Sequence, residues 1–410
     1  MPDFITNAGL QLPFILILLA LLGFRRKVYP RAGVKVKAPL EEVFALVDLH
    51  DGKVQTWNRT TVTSHLIDAA RQVFRMTYVT TLTTGSVQSS EAIFSVAERR
   101  APNYLELRRE GLEGKSLNNE LLKIAVETSS EADGTRLRLA YDWGPRPLLA
   151  QILARADLWG GAYRLKGLAE TGTPNERTHT LISAGVALVT GVISLMAFGL
   201  ILDWVISGLV VIALAVHEFG HLLAFRLIGQ PWGRMIFLPF LGALAMPRLP
   251  YVTQAQAVFA ALMGPGFSVL LAIAIIFALM LGVALPDWLF KLGLVVTGLN
   301  LFNLMPLEPL DGGVALRSVL AKLMGSNARF GLLAFGALIL AAGFYFEQVV
   351  LLVFGGITVL ANIKPRLIDH GLKPLTSLQV TIAAFGFMAI VAAYIVMLSY
   401  YLNLFGNHAA

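Results

Sequence analysis

The sequence predicts a multi-pass α-helical membrane protein with an α+β soluble domain near its N-terminus. Three observations predict it. Hydrophobic residues make up 56% of the 410 and mean hydropathy is +0.67, above the range of soluble chains. From Leu181 onward, apolar runs long enough to span a bilayer follow one another with few charges between them. Between Val28 and Arg177 the chain is polar, charge-rich and patterned in short alternating segments.

The elements follow in order. Ile5 to Phe24 is a single apolar run ending at Arg25-Arg26-Lys27. A cleaved signal carries its positive charge before the apolar run, whereas here it comes after. Residues 1–27 therefore read as a transmembrane anchor with its N-terminus outside. In the polar domain, Gly33 to Lys37 reads as a strand. Pro39 opens a helix through Leu49, with Glu41 and Glu42 suited to its first turn. Alternating segments follow at Thr60 to Ile67, Gln72 to Thr80, Gln88 to Ala97, Asn103 to Arg109, Leu121 to Glu127 and Arg136 to Tyr141. In the last, Arg136 and Arg138 share one face and Leu137 and Leu139 the other. Pro147 to Leu165 is an amphipathic helix, and Ala169 to Arg177 a short polar linker with Gly172 and Pro174.

The membrane part divides into spans at Leu181 to Leu202, Trp204 to Ile228, Gln254 to Leu285, Trp288 to Leu304, Phe330 to Phe346, Gln348 to Ile363 and Leu378 to Leu404. The two short ones form either a tight hairpin or one broken unit. If the anchor runs from outside to inside, the polar domain is cytoplasmic. Arg226, Arg234, Arg317, Lys322, Arg329, Lys364 and Arg366 then all fall inside, as the positive-inside rule asks. The expected location is the inner membrane of a bacterium. The net charge of +7 is accounted for by the polar domain and span ends, so nucleic acid is not an expected partner. Cysteine is absent, which excludes disulfides and thiolate chemistry.

The chemistry lies in His217-Glu218-Phe219-Gly220-His221, inside the run from Trp204 to Ile228. A charged side chain at mid-bilayer costs about 3 kcal/mol or more. In a soluble protein this pattern could be an exposed helix face; inside an apolar span it needs a compensating partner. His217 and His221 are one turn apart and can share a metal ion. Glu218 lies where a carboxylate takes a proton from activated water. A catalytic zinc needs a third protein ligand. The acidic residues in the later apolar part are Asp287, Glu308, Asp311, Glu347 and Asp369. Asp311 stands out because two prolines and two glycines between Asn303 and Gly313 break the helix there. Irregular backbone at membrane depth is tolerated only where protein buries it or it lines a wet cavity.

These two segments resemble the site-2 protease family of intramembrane zinc metalloproteases. That family carries His-Glu-x-x-His on one transmembrane helix and Asn-x-x-Pro-x-x-x-Leu-Asp-Gly on a later one, here His217 to His221 and Asn303 to Gly312. The resemblance covers about Leu181 to Lys364. It implies that His217, His221 and Asp311 hold Zn2+, that Glu218 is the catalytic base, and that Asn303 helps hold substrate. Phe237 to Pro247 resembles the family's membrane-re-entrant hairpin. Gly264-Pro265-Gly266-Phe267-Ser268 resembles its Gly-Pro motif, with Ser268 where Asn is common. The implied partners are a membrane-protein substrate and the bilayer.

The order strand, helix, antiparallel strands, long helix in residues 28–177 resembles the START-like helix-grip family of polyketide cyclase relatives (SRPBCC). It implies an apolar cavity between sheet and helix that could take an apolar ligand, the alternative being a filled core with none; the residues there show no catalytic constellation. The expected organisation is an anchor at 1–27, a START-like domain at 28–177, a metalloprotease core at 178–364 and a C-terminal helix and tail at 365–410. The competing expectation is a non-proteolytic zinc-holding or lipid-sensing scaffold, which would not need Glu218.

Overall fold

The computed structural model describes residues 25–27, 29–57, 59–112, 115–116, 122–142, 145–307, 310–347, 349–363 and 372–409. The expected anchor at Ile5 to Phe24, and Glu308 and Asp369, lie outside the described residues. The chain divides into two compact units between Val192 and Ile193.

The first unit is an antiparallel sheet with two helices. Its strands are β1 (Arg31–Val36), β2 (Val54–Trp57), β3 (Thr60–Asp68), β4 (Val73–Thr81), β5 (Val87–Arg100), β6 (Tyr104–Leu112), β7 (Leu122–Glu131) and β8 (Gly134–Asp142). They lie in the order β1-β8-β7-β6-β5-β4-β3-β2, and the two-residue strand Lys115–Ser116 pairs with β6 off that path. Alternation decides which face is inside. Ala32, Val34 and Val36 of β1 and Leu137 and Leu139 of β8 are buried, while Lys35, Arg136 and Arg138 point outward. Strand β2, absent from the sequence expectation, is a short edge strand paired with β3 from Val54–Thr63 to Trp57–Thr60.

Helix α1 (Leu40–Val47) follows Pro39, with Glu41 and Glu42 in its first turn. Its free carbonyls are capped by Lys53, whose ammonium donates to Ala45 O at 2.6 Å and Asp48 O at 2.5 Å. Helix α2 (Leu148–Thr171) packs on β1 and β8. Val43, Phe44, Leu105, Leu137, Leu158 and Ala162 fill the space between sheet and helices.

The linker expected at Ala169 to Arg177 shrinks to four residues. Helix α2 runs on to Thr171, Gly172 caps it at φ 69°, and α3 (Glu176–Gly199) begins at once. The turn is tight because an Arg164–Glu176 ion pair at 3.3 Å ties the helices together. A Cβ at Gly167 would lie 2.6 Å from Thr173 O.

The second unit is helical. It contains α4 (Trp204–Leu227), a hairpin of β9 (Arg234–Leu238) and β10 (Gly242–Met246), α5 (Gln254–Met280), α6 (Asp287–Asn303), α7 (Asp311–Met324), α8 (Ala328–Tyr345), α9 (Val349–Ile363) and α10 (Ser377–Ala409). Asp203 and Thr253 cap α4 and α5 by accepting from Ile206 N–H and Gln256 N–H. Among the described residues, five helices are long and apolar enough to cross a membrane: α3, α4, α5, α8 and α10. Helix α6 has 17 residues and α9 has 15.

The short pair α8 and α9 is a tight hairpin. The chain reverses at Glu347, φ 55°. Gly343 and Gly355 let the backbones meet: a Cβ at either would lie 2.8 Å from Leu352 N or 2.7 Å from Leu340 N. Leu270, Phe277, Phe344, Phe385 and Met388 point outward, an apolar surface suited to lipid.

Candidate metal centre

Helix α4 carries His217, Glu218 and His221 on a face directed at α5 and α6. Gly220 brings α4 close to α5, because a Cβ there would lie 2.3 Å from Met263 O and 3.0 Å from Gly264 Cα. Asp311 is the first residue of α7. Its neighbour Gly312 sits against the end of α6, where a Cβ would meet Leu304 O at 1.9 Å. Glycine at 220 thus lets α4 approach α5, and glycine at 312 lets α7 approach the end of α6.

The convergence has a specific geometry. His217 Nε2 lies 3.1 Å from His221 Nε2. Asp311 Oδ2 lies 3.0 Å from His217 Nε2 and 3.5 Å from His221 Nε2. Four donors arranged tetrahedrally at about 2.05 Å from one ion are about 3.3 Å apart, so this triangle has the size of a tetrahedral zinc face. His217 and Glu218 are buried, 2% and 4% exposed.

The protonation pattern strengthens the fit. Asn300 donates through Nδ2 to Val296 O at 2.8 Å, which turns its Oδ1 toward His217 Nδ1 at 2.7 Å. His217 Nδ1 must then be the donor. His221 Nδ1 faces Ala260 O at 2.7 Å and is likewise a donor. With Nδ1 so engaged, each imidazole turns its Nε2 inward, the arrangement that metal-binding histidines use. Among the described residues, the buried Asp311 Oδ2 meets only these two imidazole nitrogens. Two imidazole nitrogens and a carboxylate oxygen thus face one another, a donor set of the chemistry that binds zinc.

Gly264 lies directly against this triangle. A Cβ there would stand 2.5 Å from His221 Nε2 and 2.9 Å from His217 Nε2. Its helix is held in place by Ser268 Oγ, which donates to Gly264 O at 3.1 Å, and by Tyr394 Oη, which donates to Pro265 O at 2.7 Å.

Glu218 points the same way. The nearest donor atoms of His217, Glu218 and His221 all lie within 4.8 Å of one another. The Glu218 carboxylate accepts from the Ala245 backbone N–H of β10. All four residues line a cavity of about 810 Å³ that is largely apolar, with Gly242 to Ala245 along one side. Asn303 also lines this cavity. Asn300, which the sequence reading passed over, is the residue that touches His217. Its signal was available: it lies one turn before Asn303, on the same helix. Tyr251, also missed, lines the cavity too; it sits in a loop, where no periodicity marks it.

Comparison with solved structures finds similarity to a site-2 protease from Methanocaldococcus jannaschii. The identity is 19% over 46% of this chain and 91% of that one, with a TM-score of 0.30. The di-domain ARO/CYC StfQ from the steffimycin biosynthetic pathway is similar at 11% identity, over 35% of this chain and 51% of that one, with a TM-score of 0.25. A protein from Staphylococcus epidermidis is similar at 14% identity, over 37% of this chain and 94% of that one, with a TM-score of 0.28. No protein-family model matches the chain, and no curated protein matches it.

Proposed function

We propose that this protein is an intramembrane metalloprotease that holds zinc on His217, His221 and Asp311 and hydrolyses peptide bonds in or near transmembrane segments of membrane proteins. The observation that supports the reading is the triangle of His217 Nε2, His221 Nε2 and Asp311 Oδ2, 3.0 to 3.5 Å on a side, with a buried carboxylate beside it in an apolar cavity. Zinc, when bound, supplies Lewis acidity that polarises a peptide carbonyl and acidifies water.

The chain's own residues do the rest. Asn300 and the Ala260 carbonyl hold the two imidazoles in the tautomer that leaves Nε2 free. Glu218 removes a proton from the attacking water, whose oxygen bonds to the peptide carbon. It then delivers that proton to the amine nitrogen as the C–N bond breaks. The Ala245 N–H orients Glu218 for both transfers. A helical substrate hides its backbone groups and must open first. Strand β10 pairs with β9 on one side only and lines the cavity, so it offers main-chain groups to an opened segment. Asn303 is placed on the cavity wall to meet that segment.

The test uses purified wild type and Glu218→Gln with a reporter transmembrane substrate, and zinc content measured on both. Cleavage by wild type alone, with equal zinc in the two, is expected. Equal cleavage by both, or none by either with zinc bound, would reject the protease reading and leave a zinc-holding scaffold.

A further inference from the structure

Helix α2 is apolar on two faces, and the sheet accounts for only one of them. Ala154, Leu158 and Ala162 are buried against the first unit's core. Ile152, Ala156, Trp159 and Tyr163 recur at helical spacing as a second stripe. At about 100° per residue this stripe lies about 130° round the helix from the first. Ile152 is 42% exposed and Trp159 40%, and the Trp159 ring stacks on Tyr163 at 5.8 Å. A helix laid on the sheet of a water-soluble domain ordinarily turns a polar face outward.

The start of α3 says what covers this stripe. Arg164 of α2 pairs with Glu176 at 3.3 Å, and a Cβ at Gly160 would stand 2.8 Å from His179 Cδ2. Gly160 and Arg164 mark a third face of α2, about 90° from the stripe, so α3 runs off beside it. Two residues after His179, α3 turns apolar at Leu181, which is 72% exposed. At 1.5 Å per residue that is about 3 Å further along the helix. Trp159 adjoins Gly160 in sequence and therefore stands at the level where the apolar surface of α3 begins. Exposed Arg155 borders the stripe on the side away from α3. Tryptophan and tyrosine with a flanking arginine, placed where an apolar span starts, are the side chains that suit a headgroup layer. The rings bury their apolar bodies there and the guanidinium reaches phosphate.

We propose that the face of α2 carrying Ile152, Trp159 and Tyr163 lies in the headgroup layer of the bilayer that α3 enters, so that the soluble unit rests on the membrane surface. Lipid is favoured over a protein partner because the stripe adjoins the lipid-suited surface of α3 and ends on a cation. This contact is independent of the metal centre, and its failure would leave the protease reading untouched.

The test uses the absence of cysteine from the chain. Full-length Ile152→Cys, Leu188→Cys and Lys35→Cys are each labelled with bimane and placed in nanodiscs of phosphatidylcholine and phosphatidylglycerol, with or without nitroxide-bearing phosphatidylcholine. The labels at 152, on the stripe, and 188, on α3, should lose most of their fluorescence to the nitroxide lipid. The label at 35, on the outward face of the sheet, should lose none. An unquenched label at 152 beside a quenched one at 188 would overturn the proposal; aqueous iodide then tells a face open to water from one covered by protein, and either result rejects lipid. Quenching at all three positions would also overturn it, since proximity would not belong to this face. Quenching at none would overturn it together with the membrane reading of α3. If Ile152→Cys changes the circular dichroism, Ala156→Cys on the same stripe serves, with the same expected result.

Discussion

Replacing Gly264 by alanine puts a methyl carbon 2.5 Å from His221 Nε2 and 2.9 Å from His217 Nε2. Relaxed carbon–heavy-atom contacts are about 3.5 Å, so the rings must retreat by about 0.6 to 1 Å. Neither is free to do so. His217 is held by Asn300 and His221 by the Ala260 carbonyl, each at 2.7 Å. Helix α5 cannot back away cheaply, since Ser268 and Tyr394 hold its carbonyls. Metal sites tolerate shifts of about 0.2 Å in donor distance. The required displacement exceeds that several times over. Zinc affinity should fall by about 100-fold or more, the upper end of what disturbing ligand orientation costs, and cleavage should fall with it.

The neighbouring Gly266 is the control. A Cβ there meets only Ile390 Cδ1, at 3.4 Å, so Gly266→Ala should keep both metal and activity. Helix propensity works against the expected loss, because Ala in a helix interior is favoured over Gly by about 1 kcal/mol. A Gly264→Ala protein that is stable yet empty would isolate the steric cause. Zinc is measured by competition with a chromophoric chelator. Stoichiometric zinc at wild-type affinity in Gly264→Ala would refute the placement of the metal against this glycine.

Three further outcomes are expected. Asn300→Leu should weaken zinc about 10- to 100-fold while the fold survives, because it removes the acceptor that fixes the His217 tautomer; chelator competition showing unchanged affinity would reject that role. The Lys53 ammonium is lowered from 10.5 to about 8, chiefly by burial, with Arg99 adding to the effect and Asp48 opposing it. Between about pH 8 and 10.5 the unfolded chain then binds more protons than the folded one, so stability rises with pH across that window. Hydrogen exchange over residues 40–47, corrected for intrinsic rate, should slow from pH 8 to 9.5, and faster exchange would contradict the assignment. The chain has no cysteine, so single cysteines report topology cleanly. In intact cells a membrane-impermeant maleimide should label Ala284→Cys and leave Thr83→Cys unlabelled until the membrane is permeabilised; the reverse pattern would place the soluble domain outside.

The convergence of His217, His221 and Asp311 was legible in sequence because each carries a local signal. His217 and His221 sit one turn apart in an apolar run, where two imidazoles and a carboxylate need compensation. Asp311 follows prolines that stop a helix at membrane depth. The grip-like unit was legible from alternation, clearest in β8, where Leu137 and Leu139 are buried between outward arginines. What escaped was set by tertiary approach. Gly264 reads in sequence as part of a Gly-Pro motif, and only the folded chain shows that its missing Cβ leaves room beside two imidazoles. Ala260 contributes a carbonyl, which no side chain advertises. Strand β2 escaped because four residues at an edge do not establish a period. The length of α2 was underestimated because Ala169, Glu170 and Thr171 look like linker, yet Gly172 stops the helix only after them.

Glu218 and the hairpin illustrate why the site needs both units of local structure at once. A buried carboxylate without a donor is costly, and α4 cannot supply one, since its backbone N–H groups are spent within the helix. Strand β10 can, because pairing with β9 occupies only one of its edges. The other edge gives the Ala245 N–H to Glu218. In an antiparallel ladder, residues two apart direct their main-chain groups to the same edge, so Ala243 presents its N–H and C=O on that same side. The hairpin therefore engages the Glu218 carboxylate with one residue and leaves the next equivalent residue along the cavity. On the protease reading proposed above, a substrate strand aligned on Ala243 would also be aligned on Glu218, and a one-residue slip would turn its groups away from both.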